Sequence, residues 1–139
     1  MQRQLLAAAG YPVIVFPLAL VWHLGLFNDR YVSFGYFDGA PNIAVGLATM
    51  VIQGAVLAVL YPLFRLNGAG IKRPIKFAGL MGTFFWTSHV LAMIAKQNVP
   101  QAGAFILMES VYLCLQFGLF ALALGFIFRE ERPTWVTSA

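Results

Sequence analysis

A chain of 139 residues that is 60% hydrophobic and only 10% charged is too apolar for a soluble fold and too short for more than one domain. Its net charge of +4 sits at a few places along the chain, which argues for membrane topology and against a nucleic-acid partner. The sequence has no phosphate-cradling glycine loop, no G-x-S-x-G elbow and no His-Glu-x-x-His or Glu-x-x-His pattern, so it is not expected to be an enzyme.

Four apolar runs stand out, at residues 5–27, 41–66, 74–95 and 102–128. Each is near the ~20 residues that cross a hydrocarbon layer of ~30 Å. The first follows Arg3 and ends in Trp22-His23-Leu24-Gly25-Leu26-Phe27, which is too long for the ~7–15 apolar residues of a cleaved signal, so it is read as a span. Pro12 and Pro17 within it each remove a backbone donor and favour a kink. The connection that follows, residues 28–40, carries Tyr31, Phe34, Tyr36 and Phe37 among polar residues and glycines. With Trp22, these are expected to anchor the chain in the membrane interface or to form a docking surface for another membrane protein.

In the second run Asn42, Gly46, Thr49 and Gln53 fall on one helical face as a narrow polar or small stripe, and Gly46, Gly54 and Ala58 would admit a close neighbour. Asn67-Gly68-Ala69-Gly70 supplies turn residues, and Lys72-Arg73-Pro74 restarts a helix. The third run brings Gly79 and Gly82 for close packing, Trp86 as a packing residue, and His89. On the fourth, Glu109, Tyr112 and Gln116 share a face. Cys114 has no partner for an internal disulfide. The tail Arg129-Glu130-Glu131-Arg132-Pro133 reads as a solvated helix end and stop, and Trp135 as an inner-interface residue.

Arg3, Arg65, Lys72, Arg73, Lys76, Arg129 and Arg132 lie at the two termini and the second connection, with only Arg30 and Lys96 on the opposite side. The positive-inside rule then puts both termini in the cytoplasm. The halves also fall into register: Trp22 to Trp86 is 64 residues, His23 to His89 is 66, Gln53 to Gln116 is 63 and Arg65 to Arg129 is 64. The expected fold is therefore an all-α membrane protein, a single domain over residues 1–139. Its four transmembrane helices form two tandem helical hairpins, about 1–66 and 67–139, with N and C termini inside.

Polar groups within such spans need partners, because lipid offers none. Counted from the outer ends, His23, His89 and Glu109 lie in one layer, with Gln53 and Gln116 beneath them near mid-membrane and Tyr112 between. Three chemistries fit a convergence of these groups. It could relay protons or bind a cation. It could hold a transition metal through His23, His89 and Glu109. Or the two histidines could ligate a haem or chlorin axially. The cofactor stays open, and so does the simpler role of pinning helices together. Glu109 is the one ionisable group that the repeat does not explain, because its counterpart falls near Gly46.

The segments Trp22-His23-Leu24-Gly25-Leu26-Phe27, Gln53-Gly54-Ala55-Val56-Leu57-Ala58-Val59-Leu60-Tyr61-Pro62 and Ala95-Lys96-Gln97-Asn98-Val99-Pro100 resemble those of small bacterial four-helix inner-membrane proteins grouped as a domain of unknown function. The resemblance implies four-span topology and a bacterial inner membrane, and no activity or site residues. The functional expectation is a non-enzymatic accessory or assembly subunit, whose partners are the lipid bilayer and other membrane subunits or itself. The alternatives are a homo-oligomeric proton-linked transporter or channel, and a haem- or metal-binding redox protein using His23 and His89.

Overall fold

The computed structural model describes residues 1–37 and 39–129, so the tail expectations on Glu130 to Pro133 and Trp135 lie outside the described residues. All regular structure among the described residues is helical, and four helical stretches are long and apolar enough to cross a membrane: Gln2–Leu26, Ile43–Leu63, Lys72–Lys96 and Ala102–Ile127. These four spans match the four apolar runs to within a few residues at each end.

Helix α1, Gln2–Ala19, runs through Pro12 and Pro17 and continues without a break as a π-helical segment, Leu20–Leu26. A short helix α2, Asn28–Ser33, follows. Helix α3, Ile43–Leu63, starts at Asn42, whose side-chain oxygen accepts the Val45 N–H at 3.1 Å and so satisfies one of the orphan donors of a helix start. At its far end, Arg73 donates from its guanidinium to the Tyr61 and Phe64 carbonyls, each at 3.3 Å, and lies 4.9 Å from the Tyr61 ring centre. These carbonyls have no intrahelical partner, so the cation closes the helix end.

Helix α4, Lys72–Trp86, opens a second π-helical segment, Thr87–Leu91, and ends in α5, Ala92–Lys96. Helix α6, Ala102–Ile127, is the most enclosed of the spans. Its buried positions, from Phe105 through Glu109, Tyr112, Gln116 and Phe120 to Leu124, recur every three or four residues as a single inward face.

The first span packs along the second, the third along the fourth, and the first along the fourth. The second is not packed against the third, which leaves a cleft between them. Small residues set the close contacts. A Cβ on Gly54 would stand 2.6 Å from the Ala8 carbonyl oxygen and 3.0 Å from Tyr11 and Pro12, so α1 and α3 meet backbone to backbone there. On the other hairpin the order is reversed, with bulky Phe117 of α6 lying against Gly82 of α4. Toward the end carrying the N-terminus the core is purely apolar and aromatic, with Tyr11 edge-on to Phe120 at 4.9 Å and Tyr61 against Phe77 at 5.2 Å.

Candidate functional site

The two histidines sit in the two π-helical segments, His23 in Leu20–Leu26 and His89 in Thr87–Leu91. A π segment carries one residue more than an α turn and re-aims the side chains that follow it, a device often found where a side chain must be placed. Pro17 precedes the first segment, but no proline lies in α4 just ahead of the second, where Pro74 is twelve residues away. Proline is thus not their common cause. What they share is a histidine aimed at helix α6.

Both imidazoles reach one carboxylate. His23 Nε2 lies 3.2 Å from Glu109 Oε1, and His89 Nε2 lies 3.1 Å from Glu109 Oε2. Glu109 is fully buried and His23 nearly so, whereas the His89 side chain is 40% exposed and forms part of the cleft wall. The second nitrogen of His23, Nδ1, is 3.0 Å from the Ala19 carbonyl oxygen, which can only accept, so Nδ1 carries a hydrogen. The hydrogen bond between His23 and Glu109 therefore holds one proton, resting either on the carboxyl group beside a neutral ring or on an imidazolium beside a carboxylate. A carboxylate enclosed in this way needs such partners, because desolvation strongly penalises an unpaired charge.

Tyrosines close the layer. Tyr31 and Tyr112 hold their rings 4.5 Å from that of His23, and Tyr36 stacks on it at 5.8 Å with its hydroxyl 3.3 Å from His89 Nε2. Trp22 donates its Nε1–H to the Tyr31 hydroxyl at 2.8 Å, and Trp86 donates to Ser110 Oγ at 2.9 Å. Burial first, and then the charge of Glu109, pushes the Tyr31 and Tyr36 hydroxyls well above the usual phenol range, so both stay protonated as hydrogen-bond donors.

This corrects one expectation. Tyr31 and Phe34 do not lie out in the interface: both are buried, Tyr31 over His23 and Phe34 against Phe105 at 5.7 Å, while Tyr36 and Phe37 are half-buried beside them. Trp22 too is half-buried, its ring 4.6 Å from Phe27. The physical reason is that Tyr31 finds a donor, Trp22, inside the fold, so its polar tip needs no water. Residues 28–37 form a cover over the histidine layer.

Beneath, Gln116 donates to the Tyr11 hydroxyl, which donates to Gln53 Oε1 at 3.3 Å. Gln53 and Gln116 thus meet through Tyr11, which the sequence reading passed over. A phenol in the middle of an apolar run was the available signal, since its hydroxyl must find a partner in lipid. Ser110, beside Glu109, was also missed.

The cleft, about 570 Å³, extends from Asn42 and Phe37 down to Gln53 and Gln116, bounded by the second and third spans. The sequence-derived stripe of Asn42, Gly46, Thr49 and Gln53 lies along it. As for a resident cofactor, both Nε2 atoms are engaged by opposite oxygens of one carboxylate and do not face each other across a gap, as axial ligands of a tetrapyrrole must. No group of three His, Cys, Asp or Glu side chains among the described residues is arranged to hold a metal ion. The arrangement can instead store a proton. Its hydrogen bonds begin at the cleft with His89, pass through Glu109 and end with His23 on a backbone carbonyl. Compared with protein-family models, with curated proteins and with solved structures, the chain gives no match.

Proposed function

We propose that this chain is a proton-linked carrier of the bacterial inner membrane, in which occupancy of the cleft is tied to the protonation of His23, Glu109 and His89. The observation that carries this reading is the graded burial of the three groups, with His89 at the cleft wall and Glu109 and His23 enclosed behind it. Such a layout admits a proton from one side only and ends it at the Ala19 carbonyl, which suits a binding and release step better than a continuous pore. We take the chain as two tandem hairpins. Support comes from matching π segments around the two histidines and from the packing of first on second and third on fourth span. The basic residues favour both termini in the cytoplasm and the histidine layer in the outer half of the bilayer.

The test is electrical. Protein reconstituted in vesicles on a solid-supported membrane should give a transient displacement current on a step from about pH 8 to about pH 6, the range of imidazole chemistry. The current should vanish in Glu109→Gln. Equal currents in both would defeat the reading.

A second reading, the accessory subunit, is favoured by a separate apolar cleft of about 750 Å³ between the third and fourth spans, bordered by Gly79, Gly82 and Gly118. It requires the protein to travel with a larger complex in mild-detergent native gels of its own membranes; migration at the size of the free chain removes it.

A further inference from the structure

We infer that the cleft between the second and third spans is a binding site for a neutral, lipid-soluble carbonyl compound of the benzoquinone class, taken up sideways from the bilayer. This rests on the proton-linked reading above and names its ligand.

Charge comes first. Among the described residues that line the cleft there is no Asp, Glu, Lys or Arg, and Glu109 is screened from it behind the histidines. A charged ligand would have to shed its water without a counter-charge, whereas a neutral one pays no such cost. The entry route points the same way. The second and third spans do not pack together, so the cleft opens toward lipid as well as toward the histidine end.

Shape and polarity narrow the class. The walls carry flat aromatic rings, Phe16, Phe84 and Phe85 among them, which suit a planar ring by stacking or edge contact. The polar atoms left for a ligand are mainly donors. Gln53 accepts from Tyr11 through its oxygen, and Gln116 is the donor to Tyr11, so the direction of that chain leaves the Gln53 amide N–H groups without a protein partner among the described hydrogen bonds. His89 has a second ring nitrogen likewise uncommitted. A ring bearing carbonyl acceptors fits these donors, with one carbonyl to the Gln53 amide and another to the imidazole that connects with Glu109. A volume of about 570 Å³ holds such a ring and the start of a tail, and the rest of the tail remains in lipid.

Gly46 makes the test sharp. It borders the cleft, and a Cβ built there meets nothing within 4 Å, so a larger side chain enters the cleft without disturbing the helix contacts. Decylubiquinone added to the purified protein in nanodiscs should quench tryptophan fluorescence saturably. Gly46→Leu should weaken binding at least about tenfold, Gln53→Leu should weaken it severalfold, and Gly46→Ala should bind nearly as the parent does. Excess 1-decanol should not displace the quinone. Unchanged binding in both Gly46→Leu and Gln53→Leu, or displacement by the tail alcohol alone, overturns the proposal. If the displacement current persists while decylubiquinone fails to bind, the ligand class falls and the proton-linked reading stands; loss of the current with binding intact gives the reverse.

Discussion

Replacing Glu109 separates a bridging carboxylate from one that merely fills space. In Glu109→Ala both imidazole Nε2 atoms lose their partner, and a buried polar group left unpaired costs about 1–3 kcal/mol, so the pair should cost about 2–6 kcal/mol. Glu109→Gln behaves differently because of His23. Its Nδ1–H is committed to Ala19, so the neutral ring offers a bare Nε2 that accepts from the new amide, while the amide oxygen takes the Nε2–H of His89. Only the charge assistance is lost, about 1 kcal/mol. Thermal unfolding in detergent, followed by tryptophan fluorescence, should therefore rank the parent above Glu109→Gln and Glu109→Ala lowest, with the larger step between Gln and Ala. If Gln and Ala unfold at the same temperature, the carboxylate does not bridge the histidines in the way described.

Gly54→Ala should destabilise by about 1–3 kcal/mol, because its Cβ meets the Ala8 carbonyl oxygen at 2.6 Å and the two backbones must part. Gly46→Ala, with open space at the same kind of position, should be neutral or slightly stabilising; equal effects in the same unfolding assay would show that the close approach of α1 and α3 is not as described. For Tyr31 and Tyr36 the folded chain holds the phenol proton more tightly than the unfolded chain, whose tyrosines titrate near pH ~10. Their contribution to stability is thus fully present below that pH and declines as the pH rises above it. Unfolding measured from about pH 9 to about pH 11 should show this decline, and Tyr31→Phe with Tyr36→Phe should flatten it. An unchanged slope in the double variant contradicts the assignment.

The spans were readable because the bilayer imposes a length and an apolar composition that few other structures need. The polar layer was readable for the complementary reason: His23, His89 and Glu109 are costly in lipid, so their similar depth implied contact, and the structure brings all three together. The role of the aromatic connection was not readable. Tyr31 and Phe34 have the composition of interface anchors, and only the position of Trp22 as donor and Phe105 as neighbour turns them inward. The π segments left no trace in composition, since Leu20–Leu26 and Thr87–Leu91 are as suited to an α-helix as their surroundings. The polar chain through Tyr11 depended on which faces of α1, α3 and α6 meet, and that was set by Gly54.

The π segments also make the histidine layer sensitive to a kind of change that substitution scanning does not sample. Each behaves as a helix holding one surplus residue, and about 100° of rotation separates neighbouring residues on an α-helix. Removing any one residue from Leu20–Leu26 would restore ordinary pitch and swing everything beyond it, Phe27 and the α2 cover included, around the bundle. Chain length in these two short stretches, more than the identity of their leucines and valines, keeps the two imidazoles on opposite oxygens of one carboxylate.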